Sequence, residues 1–362
     1  MKLVHKWNFL SISKERKNKI HSYPRKDRCK LFALEYIIYK KIHSLPINFI
    51  SDFYDVFEDF EWIILDYDEA KIALNKTDPL NIKKRNALAR TFHERHSKVF
   101  LTVYVKNKKY PNQDYYTIAH ELGHIILGHF IEFENTALER GGLTKNEYAI
   151  LEREAEIFAA ELLMPMPILK RFKINSSAHI ITLCNVSKTA AEIRLQEFKQ
   201  IRKINSLIKP LYLKTNDLFN NFINKKYCTN CNYGFILKKS KFCPICGTKK
   251  LLWGDGKMLY KGIDINEKGK AIKCPICGNE EISDGCYCHI CGAHISNLCS
   301  NPNCDSTGPL LGTSRFCHFC GEESTFYQNQ LLSNWEDSQI KFEVNSEDLF
   351  DNTDTSENEL PF

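Results

Sequence analysis

A short segment, His-Glu-Leu-Gly-His at residues 120–124, most constrains what this chain can fold into. Side chains four residues apart lie one above the other on an α-helix, so His120 and His124 can reach one metal ion if this segment is helical. Glu121, one position further round, would then meet a water molecule bound to the same ion. The spacing therefore predicts a helix that carries a zinc site, with Glu121 as a general base.

The flanking sequence supports an amphipathic helix at this position, although His-Glu-x-x-His also occurs by chance on solvated helix faces. Asn112 and Asp114 follow Pro111 as typical start signals, and Gly128 is a typical stop signal. Apolar residues recur between them at helical spacing, namely Ile118, Leu122, Ile125 and Ile126. The motif therefore has the context that a chance match lacks.

Two histidines leave a catalytic zinc ion short of a third protein ligand. One class of zinc peptidases places a histidine ten residues after the first, but this chain has Phe130 there. His129 would point to the opposite helix face from His120, so we interpret it as a helix-end histidine and not as a ligand. The other solution is a glutamate from a second helix.

A second helix is predicted between a capping box at residues 144–147 and the Met-Pro-Met-Pro stop at residues 164–167. Its apolar stripe comprises Tyr148, Leu151, Ala155, Phe158 and Leu162. Glu152 flanks this stripe beside small residues that permit a close helix approach, whereas Glu154 falls on the opposite flank. We expect Glu152 to be the third ligand and Glu156 to hydrogen-bond a zinc histidine, with Glu154 and Glu156 as alternative ligands.

Two segments resemble the signature segments of the ImmA/IrrE family of metallo-endopeptidases, which are small gluzincin-type enzymes. They are residues 116–124, Tyr-Thr-Ile-Ala-His-Glu-Leu-Gly-His, and residues 152–165, Glu-Arg-Glu-Ala-Glu-Ile-Phe-Ala-Ala-Glu-Leu-Leu-Met-Pro. Each segment alone is suggestive, and the pair in this order is specific. The resemblance covers approximately residues 29–200.

The resemblance implies zinc ligands at His120, His124 and Glu152, with Glu121 as the base. Such a site hydrolyses peptide bonds, because zinc lowers the pKa of bound water toward about 7 and the glutamate accepts its proton. The chain departs from the family at Glu156, where Asn or Asp is usual. An additional oxyanion donor is expected, and three tyrosines remain open as candidates, namely Tyr115, Tyr116 and Tyr148.

The resemblance also implies a substrate, which is a partner transcriptional repressor of helix-turn-helix type, cut in a mobile-element or stress response. Residues 61–66 and 98–105 are rich in β-branched and aromatic residues and are predicted strands. An edge strand beside the site could hold an extended substrate by strand addition. Residues 177–198 have helix-turn-helix character, and we expect them to pack on the peptidase.

Twelve of the fifteen cysteines fall into the paired spacings that are typical of zinc sites. They form three sets of four: Cys228, Cys231, Cys243 and Cys246; Cys274, Cys277, Cys288 and Cys291; Cys299, Cys304, Cys317 and Cys320. Each module is too short to fold on an apolar core, so zinc binding would supply most of its folding free energy. The pattern predicts an array of zinc ribbons.

Other residues near these sets have simpler interpretations. Cys286 could replace Cys288, but Cys288 has the usual two-residue gap to Cys291, so we expect Cys286 to be free. With four cysteines in each set, the nearby histidines are interpreted as bystanders, namely His289, His294 and His318. Cys29 and Cys184 lie in apolar helical surroundings and are expected to be buried small hydrophobic residues.

Charge is unevenly distributed along the chain. Seven lysines and no acidic residue lie within residues 225–250, which suits either nucleic-acid binding or neutralisation of zinc-bound thiolates. Residues 335–362 hold nine acidic residues against one lysine and are predicted to be disordered. The chain has no apolar run near 18 residues and no signal-peptide segment, so we expect a cytoplasmic protein without a membrane partner.

Together these patterns predict an α+β fold, with a minigluzincin-like zinc peptidase domain followed by small four-cysteine zinc-ribbon modules. The expected segments are a basic extension (1–28), the peptidase domain (29–175), a helical connection (176–224), three ribbons (225–253, 270–295 and 296–325) and the acidic tail (335–362). The expected cofactors are one catalytic and about three structural zinc ions. The predicted function is a zinc-dependent endopeptidase, and the alternative is a zinc-ribbon nucleic-acid- or protein-binding transcriptional regulator with a non-catalytic metal site.

Overall fold

The computed structural model describes residues 22–47, 61–93, 99–109, 111–130, 144–200, 205–282, 284–306 and 308–340. Most of the predicted basic extension, and the predicted acidic tail beyond residue 340, lie outside these ranges. The chain divides into two compact units, Met1–Ile223 and Asn224–Phe362. The fold class is mixed α+β, as predicted. No helix within the described ranges is long and apolar enough to cross a membrane.

The first unit combines a small sheet with a group of helices. Its strands are β1 (Glu61–Asp66), β2 (Ala89–His93) and β3 (Val99–Tyr104). The central strand, β3, is parallel to β1 and antiparallel to β2. The predicted strand at residues 61–66 is confirmed, and the strand predicted at residues 98–105 spans residues 99–104, with residue 98 outside the described ranges. The two strands belong to one sheet.

The helices of the first unit surround its apolar core. They are α1 (Lys26–Tyr39), α2 (Tyr67–Ala73), α3 (Pro111–Ile126), α4 (Lys145–Leu163), α5 (Met166–Arg171), α6 (Ser177–Cys184), α7 (Lys188–Gln200), α8 (Lys209–Leu218) and α9 (Asn220–Asn224). The predicted Thr144–Glu147 capping box is present at the start of α4. Helix α3 ends near Gly128, whose φ of 75° lies in the left-handed region that favours glycine.

Helices α3 and α4 approach each other closely, and this approach positions the site. A Cβ atom added at Gly123 would lie 3.1 Å from the backbone of Ala155 and 3.2 Å from the Phe158 ring. Only glycine fits at such a distance without displacement of its neighbours. Small residues on both helices therefore bring their side chains within reach of one ion, as the sequence predicted.

The predicted helical connection folds onto the same core. Helices α6 and α7 form the expected helix-turn-helix, and Ile180 and Ala191 are fully buried. The buried Arg194 side chain donates to Glu161 on α4 (2.5 Å) and to the Met164 carbonyl (3.0 Å). These bonds attach α7 to the end of α4, one of the two helices that form the site.

The second unit holds little regular structure. Strand β4 (Lys225–Cys228) lies between β5 (Gly234–Ile236) and β6 (Leu251–Trp253), and β7 (Leu259–Tyr260) pairs with β8 (Gln339–Ile340). A short helix, α10, spans Thr325–Gln328. The rest of the described chain runs between clusters of cysteine side chains.

The prediction that disorder begins at residue 335 is wrong for residues 335–340. The Trp335 ring packs edge-on against Tyr260 (centroids 6.4 Å apart), and Ile340 pairs with Leu259. Arg315, which is buried, donates to the Ser338 hydroxyl at 2.8 Å. The number of acidic residues wrongly predicted disorder here, because contacts of the Trp335 ring and the buried Arg315 guanidinium hold residues 335–340 against the fold.

Candidate active site and metal centres

Helices α3 and α4 bring His120, His124 and Glu152 together. Nε2 of His120 lies 3.1 Å from Nε2 of His124 and 3.1 Å from a Glu152 carboxylate oxygen. Nε2 of His124 lies 3.4 Å from the other oxygen of Glu152. Bonds of about 2.0–2.1 Å in a tetrahedron put ligand atoms roughly 3.3 Å apart, so the three groups fit one zinc ion.

The charge state of Glu152 also suits metal binding. Partial burial alone would raise the pKa of Glu152, but the neighbouring imidazoles of His120 and His124 outweigh burial and hold the pKa well below its ordinary value. The carboxylate is therefore ionised at neutral pH, which is the form that binds metal ions.

Glu121 is held by a chain of hydrogen bonds from the sheet. The Thr91 hydroxyl donates to Oε2 of Glu121 at 2.6 Å, and the Thr91 and Thr102 oxygens lie 2.7 Å apart. Nε1 of Trp62 donates to Thr102 at 2.8 Å. Thr91 and Thr102 lie directly opposite each other on β2 and β3.

The direction of this chain follows from its two ends. An indole N–H can only donate and an ionised carboxylate can only accept. Each hydroxyl carries one hydrogen, so Trp62 donates to Thr102, Thr102 to Thr91, and Thr91 to Glu121. One oxygen of Glu121 is thereby fixed in place. Threonines are ordinary in strands, so no sequence pattern distinguishes Thr91 or Thr102 as functional residues.

A second chain of hydrogen bonds leads away from His124. Nδ1 of His124 lies 2.9 Å from Nδ1 of His129, and Nε2 of His129 lies 3.1 Å from a Glu154 oxygen. Arg25, just before α1, donates to Glu154 through its backbone N–H (2.7 Å), Nε (2.8 Å) and a terminal nitrogen (2.8 Å). The His129 and Glu154 side chains are fully buried.

This second chain determines which nitrogen of His124 faces the metal site. Burial lowers the pKa of His129 to about 4, so its ring is neutral at pH 7 and carries one N–H. Glu154 can only accept, so His129 donates from Nε2 and accepts at Nδ1. His124 must then donate from Nδ1, which leaves a lone pair on its Nε2 for the metal.

The prediction for Glu156 is wrong, and so is the expectation that Glu154 lies away from the site. The Glu156 side chain is 42% exposed and accepts a hydrogen bond from Arg153 at 2.7 Å. One turn along α4 carries its side chain beyond the histidines. Glu154 faces the end of α3, where His129 lies, and supports His124 through that residue. His129 itself is not one of the three grouped ligands, as predicted.

Among the tyrosine candidates, Tyr148 lies beside the metal ligands. Burial, together with the neighbouring carboxylate of Glu152, raises the pKa of Tyr148 to about 12. The phenol is therefore neutral at pH 7 and can donate a hydrogen bond. Tyr148 is 46% exposed, so it borders the open side of the site. Tyr115 and Tyr116 pack against the core.

The twelve predicted cysteine ligands form three clusters, each with its four sulfur atoms within 4.8 Å of one another. Neighbouring sulfurs lie 3.4–3.8 Å apart. Disulfide sulfurs are about 2.0 Å apart, whereas a tetrahedron of bonds near 2.3 Å gives roughly 3.8 Å. The spacing therefore fits zinc thiolates.

The remaining cysteines behave as expected. Cys286 is exposed and outside the second cluster, which includes Cys288. Cys29 and Cys184 are buried, and burial raises the pKa of each thiol to about 12, so neither forms a reactive thiolate at neutral pH. His289, His294 and His318 lie outside the grouped ligands.

Comparison with known families adds one finding. Residues 75–196 match the Peptidase_M78 family model, which is described as the IrrE N-terminal-like domain. The match spans β2, β3, α3 and α4 and therefore includes the two histidines, Glu121 and Glu152. None of the curated proteins compared with the chain matches it.

Proposed function

Because residues 75–196 form an IrrE-like Peptidase_M78 domain, as the ImmA/IrrE resemblance predicted, we propose that this metallopeptidase-type protein is a zinc-dependent endopeptidase of the gluzincin type. One observation supports this proposal most strongly. Three ligand atoms at tetrahedral spacing stand beside a glutamate, Glu121, whose one oxygen is held by Thr91. A purely structural zinc site is closed by four protein ligands and has no use for a base beside it.

In the proposed reaction, His120, His124 and Glu152 would hold a zinc ion, which would supply an acidified water and polarise the scissile carbonyl. Glu121 accepts the proton of that water on the oxygen that Thr91 leaves available, and later passes the proton to the leaving amine. The neutral phenol of Tyr148 is our candidate for the additional oxyanion donor, because it borders the open side of the site.

We further propose that the substrate is a helix-turn-helix repressor, cut to derepress genes of a mobile element or a stress response. This substrate class rests on the ImmA/IrrE resemblance. A cytoplasmic location is proposed with it, because twelve cysteines grouped for zinc require a reducing compartment. An extended, locally unfolded segment of the repressor would bind along an edge strand of the small sheet.

The alternative regulator function draws on the first ribbon. Five of its lysines are exposed, namely Lys238, Lys239, Lys241, Lys249 and Lys250, although Lys249 lies over the Phe242 ring. Two others make internal contacts, since Lys225 pairs with Asp255 and Lys226 donates to the Ser240 carbonyl. The exposed group could contact phosphates, in addition to or in place of peptidase activity.

The test compares the wild type with Glu121→Gln at matched zinc, each incubated with candidate helix-turn-helix repressors, beginning with any that a neighbouring gene encodes. We expect fragments by intact mass with the wild type alone, because Gln keeps the size of the side chain but cannot accept the proton. Three results together would favour the regulator function over the peptidase. Neither protein would cut any candidate repressor, both would bind nucleic acid equally, and the double substitution Lys249→Glu and Lys250→Glu would abolish that binding.

A further inference from the structure

The second unit repeats a six-residue segment, aromatic-Cys-x-x-Cys-Gly. We name the copies knuckle 1 (residues 242–247, Phe-Cys-Pro-Ile-Cys-Gly), knuckle 2 (287–292, Tyr-Cys-His-Ile-Cys-Gly) and knuckle 3 (316–321, Phe-Cys-His-Phe-Cys-Gly). In each copy the glycine N–H donates to the carbonyl of the first cysteine, at 3.0, 2.8 and 2.9 Å. The glycine φ angles are 68°, 74° and 86°. The three knuckles therefore share one backbone conformation.

Knuckles 1 and 3 pack against each other reciprocally. The Phe316 ring lies against Gly247, where an added Cβ would be 3.0 Å from the ring. The Phe242 ring lies against Gly321, where the same distance would be 2.6 Å. Each knuckle thus offers an aromatic ring to the glycine of the other, and the absence of a Cβ makes room for it.

Backbone hydrogen bonds follow the same reciprocal pattern. In each direction, the N–H of the aromatic residue of one knuckle and the N–H of the residue before it donate to one carbonyl of the other knuckle, that of the residue after its first cysteine. The bonds run from Lys241 and Phe242 to His318 (2.8 and 3.1 Å) and from Arg315 and Phe316 to Pro244 (2.8 and 3.0 Å). Because the same positions exchange bonds in both directions, the pairing is approximately twofold and self-complementary.

Knuckle 2 presents the same surface to solvent. Ile290 is 64% exposed, whereas Ile245, at the equivalent position of knuckle 1, is fully buried. Tyr287 is 56% exposed, and a Cβ added at Gly292 would meet nothing within 4 Å. The ring and the glycine that pair in the other two knuckles are therefore both accessible here.

The backbone of knuckle 2 is equally available. Its hairpin bonds, from Cys288 to Ala293 and from Ile295 to Cys286, match those of knuckle 3 and direct the Tyr287 N–H away from the hairpin. In the described part of the chain, the Tyr287 N–H donates no hydrogen bond and the His289 carbonyl accepts none. Their counterparts in knuckle 3, Phe316 and His318, both bond to knuckle 1.

We propose that knuckle 2 pairs with knuckle 2 of a second copy of this chain, in the twofold arrangement that joins knuckles 1 and 3. A second copy is the fitting occupant, because the pairing is self-complementary and the other two knuckles already engage each other. Tyr287 of each copy would cover Gly292 of the other, and the Tyr287 N–H would donate to the partner His289 carbonyl. A contact limited to one six-residue knuckle on each copy is small, so the dimer should be weak and concentration-dependent.

The test is sedimentation equilibrium of the full zinc-loaded chain, up to millimolar concentration. A Cys286→Ser background with reductant excludes dimers linked through that exposed thiol. Ile290→Glu places a charge at the centre of the proposed contact. Ile272→Glu is the matched control, since Ile272 is 57% exposed on the same ribbon but outside knuckle 2. Both variants should keep the wild-type zinc content, because neither residue is a ligand.

We expect the wild type and Ile272→Glu to dimerise alike, and Ile290→Glu to raise the dissociation constant at least about tenfold. A wild type that stays monomeric throughout would overturn the proposal. So would an Ile290→Glu variant that dimerises as the wild type does, or a control that weakens the dimer equally. The outcome is independent of peptidase activity.

Discussion

The buried carboxylate of Glu154 lies 3.1 Å from Nε2 of His129, and through that ring it determines which nitrogen of His124 faces the metal. Glu154→Gln removes the charge that orients His129 and pairs with Arg25. We expect the affinity for the catalytic zinc to fall roughly 10- to 100-fold, as is typical when a partner of a metal ligand is lost. Competition with a chelator measures this affinity.

Glu156→Gln is the matched control for this change. Glu156 lies two residues away on α4 but pairs with Arg153 at the exposed surface. The Glu156→Gln variant should bind the catalytic zinc as the wild type does, because ion pairs at the exposed surface contribute little to stability. Equal affinities in the two variants would show that the His129 chain does not support the site.

Thr91 should affect turnover and leave metal binding unchanged. Thr91→Val is nearly isosteric but cannot donate to Glu121, so the carboxylate loses its fixed orientation. Hydrogen bonds to charged groups contribute about 1.5–3 kcal/mol, which predicts a fall in kcat of roughly 10- to 100-fold with little change in KM. Thr91→Ser keeps the hydroxyl and should retain most of the activity. If valine and serine variants had the same kcat, the hydrogen bond would have no part in catalysis.

Metal content separates the two kinds of site. Three cysteine clusters and the His120, His124 and Glu152 group imply about four zinc ions per chain. A chelator should remove the catalytic ion first, because a site with an open position exchanges its ion more readily. Elemental analysis of Glu152→Gln should give about three zinc ions. A wild type with one zinc ion would contradict the ribbon assignment.

Patterns that depend on spacing along the chain were predictable from the sequence. Residues four apart on α3 place His120 and His124 together in any helix, and small residues facing each other bring Glu152 to them. The cysteine clusters were predictable in the same way, because two cysteines separated by two residues can bind the same zinc ion. The histidine and cysteine spacings can be interpreted without knowledge of the tertiary structure.

Contacts that depend on how elements are rotated or paired were not predictable. The periodicity of α4 gives the angle between Glu154 and Glu156 but not which of them faces the end of α3. Thr91 meets Glu121 only because of the register between β2 and β3 and the packing of α3 on that sheet. The acidic composition likewise predicted disorder at Trp335, because composition does not reveal that this ring packs against Tyr260.

If Glu121 acts as the base of a zinc peptidase, its replacement must slow the cleavage of an unfolded protein substrate. Zinc-loaded wild type and Glu121→Gln are compared at matched metal content and pH. We expect equal zinc affinity in the two proteins and a cleavage rate about 10²- to 10⁴-fold lower in the variant. Cleavage by Glu121→Gln at the wild-type rate, with zinc bound in both, would contradict this role of Glu121.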